Sequence, residues 1–125
     1  MVNLNKQSFA VVMTTGTNDP LKTELAVVTA FGLRKNGHKV DIIQVGEAGS
    51  VIDTEILRNC NGFGLPPMNK ILDSPEMSDV MWYVWQYCAD ARKMSVELMT
   101  GRNGKFVSAV EGAAIMARAD KTITY

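Results

Sequence analysis

The sequence is poor in the residues that build disulfide frameworks and metal sites. Its 125 residues include two cysteines, Cys60 and Cys88, and one histidine, His38. A disulfide-stabilised domain needs several cysteines, and a zinc site needs clustered Cys and His ligands. The two cysteines are far apart in the chain, so we expect neither a disulfide framework nor a bound metal.

The chain also lacks an excess of either charge and any long apolar run. Thirteen Lys and Arg residues balance thirteen Asp and Glu residues, so no basic surface for nucleic acid or anionic lipid is indicated. The amino terminus does not have the apolar run of a signal peptide, and no stretch is long enough to span a bilayer. We therefore expect a cytoplasmic protein without nucleic-acid or membrane partners.

Nucleotide-binding motifs and internal repeats are missing as well. Gly16 follows a predicted strand, but it stands without the Gly-x-Gly-x-x-Gly pattern, and no Gly-Lys-Ser/Thr phosphate loop occurs. We expect no cofactor. With 46% apolar residues, a chain of this length forms one globular core, and residues 1–125 are predicted to be a single domain.

The first 45 residues predict a βαβ unit. Residues 8–14 and 39–45 are short runs of β-formers, and the segment between them is apolar at helical spacing. Asp19 is placed to cap this helix, Pro20 fits its first turn, and Gly37 follows its end as a left-handed stop. The two strands should therefore be parallel.

Residues 46–73 form the least regular part of the sequence. A glycine-containing loop covers residues 46–50, and short helices are predicted for residues 53–59 and 68–73. Cys60 follows the first of these helices and is predicted to pack as a small hydrophobic residue. Phe63 begins an irregular connector that extends to Pro67.

Residues 80–94 change character at Cys88. The preceding stretch is rich in aromatic residues and valine and carries no charge, which favours a buried strand, whereas the residues after Cys88 favour a helix to about Leu98. A helix across the whole stretch is the alternative, because apolar residues recur there at helical spacing: Met77, Met81, Val84, Cys88 and Ala91. The crowded β-forming aromatic residues favour the strand.

The remainder of the chain continues the alternation of strands and helices. Residues 105–107 predict a strand, Ser108 and Glu111 form a capping box for a helix over residues 109–119, and residues 122–125 predict a last strand. The pattern indicates a three-layer α/β/α domain with about five mostly parallel strands.

Open α/β folds bind their ligands at the carboxyl edge of the sheet. Three predicted loops meet there, at residues 15–18, 46–50 and 88–92, and we expect them to form one shallow pocket. Cys88 is the candidate catalytic residue. The candidate binding residues are Gly16, Thr17, Asn18, Gly49, Asp90 and Arg92.

The order of these motifs resembles the DsrE/DsrF-like family over nearly the whole chain. The similar segments are the Thr-Gly loop, the Gly-His-x-Val strand, residues 86–92 (Gln-Tyr-Cys-Ala-Asp-Ala-Arg) and residues 117–125 (Ala-Arg-Ala-Asp-Lys-Thr-Ile-Thr-Tyr). The resemblance implies a small cytoplasmic protein that is usually oligomeric. The better-known members of that family pass persulfide sulfur from one cysteine to another protein.

Two positions depart from that family pattern. Relatives with a Cys-x-x-Cys pair have a thiol where this chain has Trp85, which excludes a local dithiol exchange. The glycine that often follows the arginine is here Lys93, which adds a positive charge near the thiol. A helix amino terminus, Arg92 and Lys93 favour the thiolate of Cys88, whereas Asp90 opposes it.

Two functions of different classes are compatible with this resemblance. The first is a sulfur carrier or sulfurtransferase-type protein that accepts persulfide sulfur on Cys88 and passes it from a donor to an acceptor protein. The second is a non-catalytic oligomeric binding or regulatory module with an idle cysteine. In either case we expect a homo-oligomer, a trimer or a hexamer.

Less specific interpretations apply to several residues. His38 is predicted to be a surface turn residue far from the carboxyl edge. Trp82 and Trp85 are predicted to lie in the core or in a subunit interface.

Overall fold

Strands and helices alternate along residues 5–125, the part of the chain that the computed structural model describes. The strands are β1 (Ser8–Met13), β2 (Lys39–Gln44), β3 (Met81–Trp85), β4 (Asn103–Val107) and β5 (Lys121–Thr124). The helices are α1 (Pro20–Lys35), α2 (Thr54–Arg58), α3 (Met68–Leu72), α4 (Gln86–Ala91) and α5 (Ala109–Arg118). Short 3₁₀ turns cover Gly46–Val51, Pro75–Met77 and Val96–Leu98.

The five strands form one sheet in the order β4-β3-β2-β1-β5, and every neighbouring pair is parallel. The predicted single-domain α/β fold with about five mostly parallel strands is confirmed. Because all strands run the same way, their carboxyl ends lie at one edge. The loops after β1, β2 and β3 are neighbours there, with the β2 loop in the middle.

The two faces of the sheet are covered unequally. On one face, alternate strand residues such as Val11, Ile42 and Trp82 pack with buried residues of α1, α2 and α3 in the larger core cluster. On the other face, Ile43 and its neighbours meet α5 through Ile115 in a much smaller cluster. The helices therefore form two outer layers around the sheet, as the sequence predicted.

Both long helices begin with the caps that the sequence indicates. The Asp19 carboxylate accepts the Lys22 backbone N–H at 3.1 Å at the start of α1. Ser108 and Glu111 form the reciprocal capping box of α5, with bonds of 3.1 and 3.2 Å. Each cap satisfies backbone donors that a helix amino terminus leaves free.

The aromatic stretch before Cys88 is a strand, so the alternative helix across residues 77–91 is wrong. Trp82 is 2% exposed in the larger core, and Trp85 packs against the smaller one. The strand ends at Trp85, and Cys88 lies in the first turn of α4 rather than directly before a helix. α4 then ends at Ala91 instead of near Leu98, because Lys93 adopts a left-handed conformation with φ 53°.

His38 lies at the amino end of β2, far from the carboxyl edge as expected, but its predicted surface position is wrong. Its side chain is buried. The ring Nδ1 accepts the backbone N–H of Gln7 at 3.1 Å, and the ring lies edge-on to Phe9 at 5.1 Å. An imidazole whose polar atom is hydrogen-bonded can be buried at little cost. The sequence does not predict this burial, because the partners Gln7 and Phe9 are distant from His38 in the chain.

Arg102 extends its guanidinium group over the face of the sheet that carries the larger core cluster. It donates to Thr54 Oγ1 at 2.9 Å, to Gln44 Oε1 at 3.1 Å and to the backbone carbonyls of Val51 and Ile52. The group also lies 4.8 Å above the ring of Trp82. Burial lowers the pKa of Arg102 to about 10, so the cost of desolvation is large, and the ring of acceptors offsets it.

We expect Arg102→Met to lower the free energy of unfolding by about 2–4 kcal/mol, because Gln44 and two carbonyls lose their donor in a buried site. Chemical denaturation measures this change. The exposed Arg118→Met is the matched control and should change stability by less than about 0.5 kcal/mol. Equal effects of the two substitutions would contradict the role of the Arg102 contacts.

Candidate functional site

The thiol of Cys88 lies at the carboxyl edge of the sheet, within reach of the neighbouring loop. Its side chain is half-buried, and Sγ accepts the backbone N–H of Gly46 at 3.2 Å. An N–H donor stabilises negative charge on sulfur more than it stabilises a neutral thiol. The sequence predicts donors from the helical turn after Cys88, whereas this donor comes from the turn after β2.

Arg92 ties the end of α4 to that same turn. Its guanidinium pairs with the Glu47 carboxylate at 3.3 Å, and its side chain lies across Gly49. A Cβ at position 49 would stand 2.9 Å from Arg92 Nη1, so the absence of a side chain lets Arg92 lie there. The charge of Arg92 is thus shared with Glu47 rather than directed at the thiol alone.

The loop after β1 is fastened to the other side of the turn. Ser50 Oγ accepts the backbone N–H of Thr17 at 3.0 Å, and Gly16 is buried against the Ser50 side chain. Asn18 Oδ1 accepts the Gly16 N–H at 2.9 Å. The Gly46–Ser50 turn therefore connects the loop containing Gly16, Thr17 and Asn18 with α4.

Asp90 is the candidate residue with the weakest link to this cluster. It is exposed, and its carboxylate accepts Gln86 Nε2 at 2.8 Å within α4. That contact is an ordinary i,i+4 pair on a helix surface. The structure does not join Asp90 to the glycine loops by a hydrogen bond.

Sequence reasoning missed the two residues of the turn that act on Cys88 and Arg92, namely Gly46 and Glu47. The Gly46 contribution is a backbone N–H, which any residue except proline has, so the sequence carries no signal for it. The sequence does carry a weak signal for the ion pair. Glu47 and Arg92 have opposite charges and lie in two loops that are predicted to meet at the same edge of the sheet.

Cys60 differs from Cys88 in its exposure and in its hydrogen-bond partner. It is 5% exposed and belongs to the larger core, as its predicted role as a small hydrophobic residue requires. Burial and, secondarily, the nearby Glu24 charge raise the pKa of the Cys60 thiol. Its Sγ lies 3.7 Å from the carbonyl oxygen of Gly16, to which it donates a weak hydrogen bond.

A cavity of about 520 Å³ lies between the start of α1 and α2. Its lining residues are Thr17, Pro20, Glu55, Ile56, Asn59 and Cys60. This cavity shares Thr17 with the predicted pocket, but its cysteine is Cys60. The three predicted loops meet at the carboxyl edge of the sheet. The Ser50 side chain fills the space between the loop containing Gly16 and the Gly46–Ser50 turn.

Residues 5–125 contain no group of three or more His, Cys, Asp and Glu side chains arranged to hold a metal ion. Within the same range, none of the helices combines the length and apolar character needed to cross a bilayer.

No protein-family model and no curated protein sequence matches this chain. Among solved structures, the crystal structure of the YchN protein from E. coli superposes with a TM-score of 0.68 over 97% of this chain and 100% of that one. This chain has the YchN fold. The two sequences are 16% identical, so the likeness supports the DsrE/DsrF-like resemblance at the level of the fold alone.

We expect Lys93→Gly to raise the free energy of unfolding by about 0.5–1 kcal/mol, because a side chain at positive φ is strained and glycine is not. Thermal or chemical denaturation measures the gain. Lys93→Ala is the matched control, since it removes the charge but keeps the strain. A gain in Lys93→Ala as large as that in Lys93→Gly would show that charge, and not backbone conformation, limits stability here.

Proposed function

We propose that this protein is a sulfur carrier of the DsrE/DsrF-like family that accepts persulfide sulfur on Cys88 and passes it to a thiol of a partner protein. The observation that carries the proposal is the 3.2 Å approach of the Gly46 N–H to Cys88 Sγ. It gives a half-exposed sulfur a fixed donor in a place that a partner can approach.

The chemistry is two successive thiol exchanges at sulfur. The Cys88 thiolate attacks the terminal sulfur of a donor persulfide, a new S–S bond forms, the donor S–S bond breaks, and the donor leaves as a thiolate. An acceptor thiolate then attacks the terminal sulfur on Cys88, and the Cys88 thiolate leaves. Each exchange conserves electrons, so no cofactor is required.

The surroundings of Cys88 fit both exchanges. The Gly46 N–H is positioned to stabilise the thiolate that attacks in the first step and leaves in the second. The Arg92–Glu47 pair holds the turn that presents this N–H against α4. Exposed Tyr87, next to the thiol in the chain, offers an aromatic contact of the kind that protein interfaces favour.

The fold supports the proposal loosely, because the DsrE/DsrF-like resemblance points to sulfur relay and YchN shares the architecture. One observation favours the alternative of a binding or regulatory module. Glu47 pairs with Arg92, which removes part of the positive charge that would stabilise a reactive thiolate.

We expect wild-type protein incubated with a low-molecular-weight persulfide to gain the mass of one sulfur atom, because Cys88 is accessible and Cys60 is buried. Intact-mass spectrometry measures the gain. Cys60→Ser should load like the wild type, whereas Cys88→Ser should not load. Absence of loading in the wild type, or equal loading of both variants, would favour the binding module.

Two variants with the same change in charge then separate two effects on the rate of sulfur loading. One effect is the positioning of the Gly46–Ser50 turn by Arg92, and the other is the loss of a positive charge near the thiol. Arg92→Gln removes the contact with Glu47, and Lys93→Gln removes a neighbouring charge without that contact. The proposal requires a slower loading rate in Arg92→Gln than in Lys93→Gln. Equal rates would mean that the Glu47 contact plays no part in reactivity.

We further propose that the protein is a homo-oligomer, a trimer or a hexamer, that works in the cytoplasm, where a reducing environment keeps both cysteines free. Phe63 on the irregular connector is 96% exposed and Val110 on α5 is 80% exposed, and such large apolar side chains favour burial between subunits. We expect light scattering after size exclusion to give the mass of three or six chains. A monomer at tens of micromolar would contradict this proposal.

A further inference from the structure

The cavity between α1 and α2 is separate from the Cys88 thiol, and the proposed sulfur transfer does not use it. Its volume of about 520 Å³ falls in the range of small-molecule sites, which is roughly 300–1,000 Å³. Pro20 and Ile56 give it apolar walls, and Glu55 adds a carboxylate at its exposed rim. The six lining residues include no lysine or arginine.

A buried carboxylate lies on α1 and contacts the segment that follows Cys60, one of the residues lining this cavity. Glu24 is fully buried, and its Oε1 accepts the backbone N–H of Gly62 at 2.6 Å. Its Oε2 is buried without a hydrogen-bond partner in the described part of the chain. Such an orphaned oxygen costs free energy in a native protein and indicates a missing partner.

The chain geometry places Glu24 near two cavity-lining residues, Pro20 and Cys60. Glu24 follows Pro20 by one turn of α1 on the same helix face, and side chains on a helix lean toward its amino terminus. On the other side, Gly62, which holds Oε1, lies just beyond Cys60 in the chain. The hydrogen bond to Gly62 thus holds the carboxylate two residues from Cys60 in the chain, and its charge contributes to the raised pKa of the Cys60 thiol.

We propose that this cavity binds a small molecule with an apolar body and a protonated amine, the amine donating to Glu24 Oε2. The apolar body packs against Pro20 and Ile56. The amine reaches Glu24 when the Cys60 side chain rotates away. The hydrogen bond that Cys60 Sγ donates to the Gly16 carbonyl is a weak sulfur contact of 3.7 Å, so it offers little resistance to this rotation. The carboxylates of Glu24 and Glu55 favour a cation over an anion of the same shape.

Three probes of similar size and different charge test this proposal on the full chain. Benzylamine, benzyl alcohol and benzoate are titrated separately into ¹⁵N-labelled protein. We expect benzylamine to shift the backbone amide signals of Ile56, Cys60 and Gly62 saturably. Benzyl alcohol should bind at least about tenfold more weakly, because it forms no charge-assisted bond to Glu24. Equal affinities for the amine and the alcohol would overturn the proposal.

Two variants locate the site without relying on one substitution that could prevent folding. Glu24→Gln should lose the preference for the amine. Ile56→Trp should block all three probes by filling the cavity, while Glu24 stays in place. Unchanged benzylamine binding in Ile56→Trp would overturn the assignment. Cys88→Ser should bind benzylamine like the wild type, so failure of the sulfur-carrier proposal and failure of this one give different results.

Discussion

The partly buried guanidinium of Arg102 fixes the part of the chain on which the candidate site depends. It collects acceptors from β2, from the 3₁₀ turn that follows β2 and from the start of α2. A charge buried without a carboxylate in contact is stable only when most of its donors find partners, so these groups must keep their positions together. The Gly46–Ser50 turn is held in this way between a rigid sheet and a fixed helix start.

The Gly46–Ser50 turn makes the hydrogen bonds and the ion pair that join the neighbouring loops at the carboxyl edge. On one side it presents the Gly46 N–H to Cys88 and the Glu47 carboxylate to Arg92. On the other side, Ser50 accepts the Thr17 N–H. The two cysteines therefore lie on opposite sides of one structural unit: Cys88 near its donor and solvent, and Cys60 in the core behind the Gly16 loop.

The order of strands and helices could be predicted because it depends on local patterns, such as the Asp19 cap, the Ser108–Glu111 box and the aromatic residues of β3. The meeting of the three loops could be predicted from parallel topology. The contacts within the site could not, because they are made by a backbone N–H and by side chains that are distant in sequence. His38 and Arg102 show the same limit, since their burial depends on partners from other elements.

The unequal covering of the sheet has a consequence for local stability. Within residues 5–125, the smaller core is covered on its outer side by α5 alone, so the detachment of α5 would cost much less free energy than the loss of the larger core. In the described chain, the indole N–H of Trp85 is buried there without a hydrogen-bond partner, which further lowers the cost of hydrating it. Native-state hydrogen exchange should therefore divide this small domain into a slow layer containing α1 and a fast one containing α5, with Trp85 at the boundary.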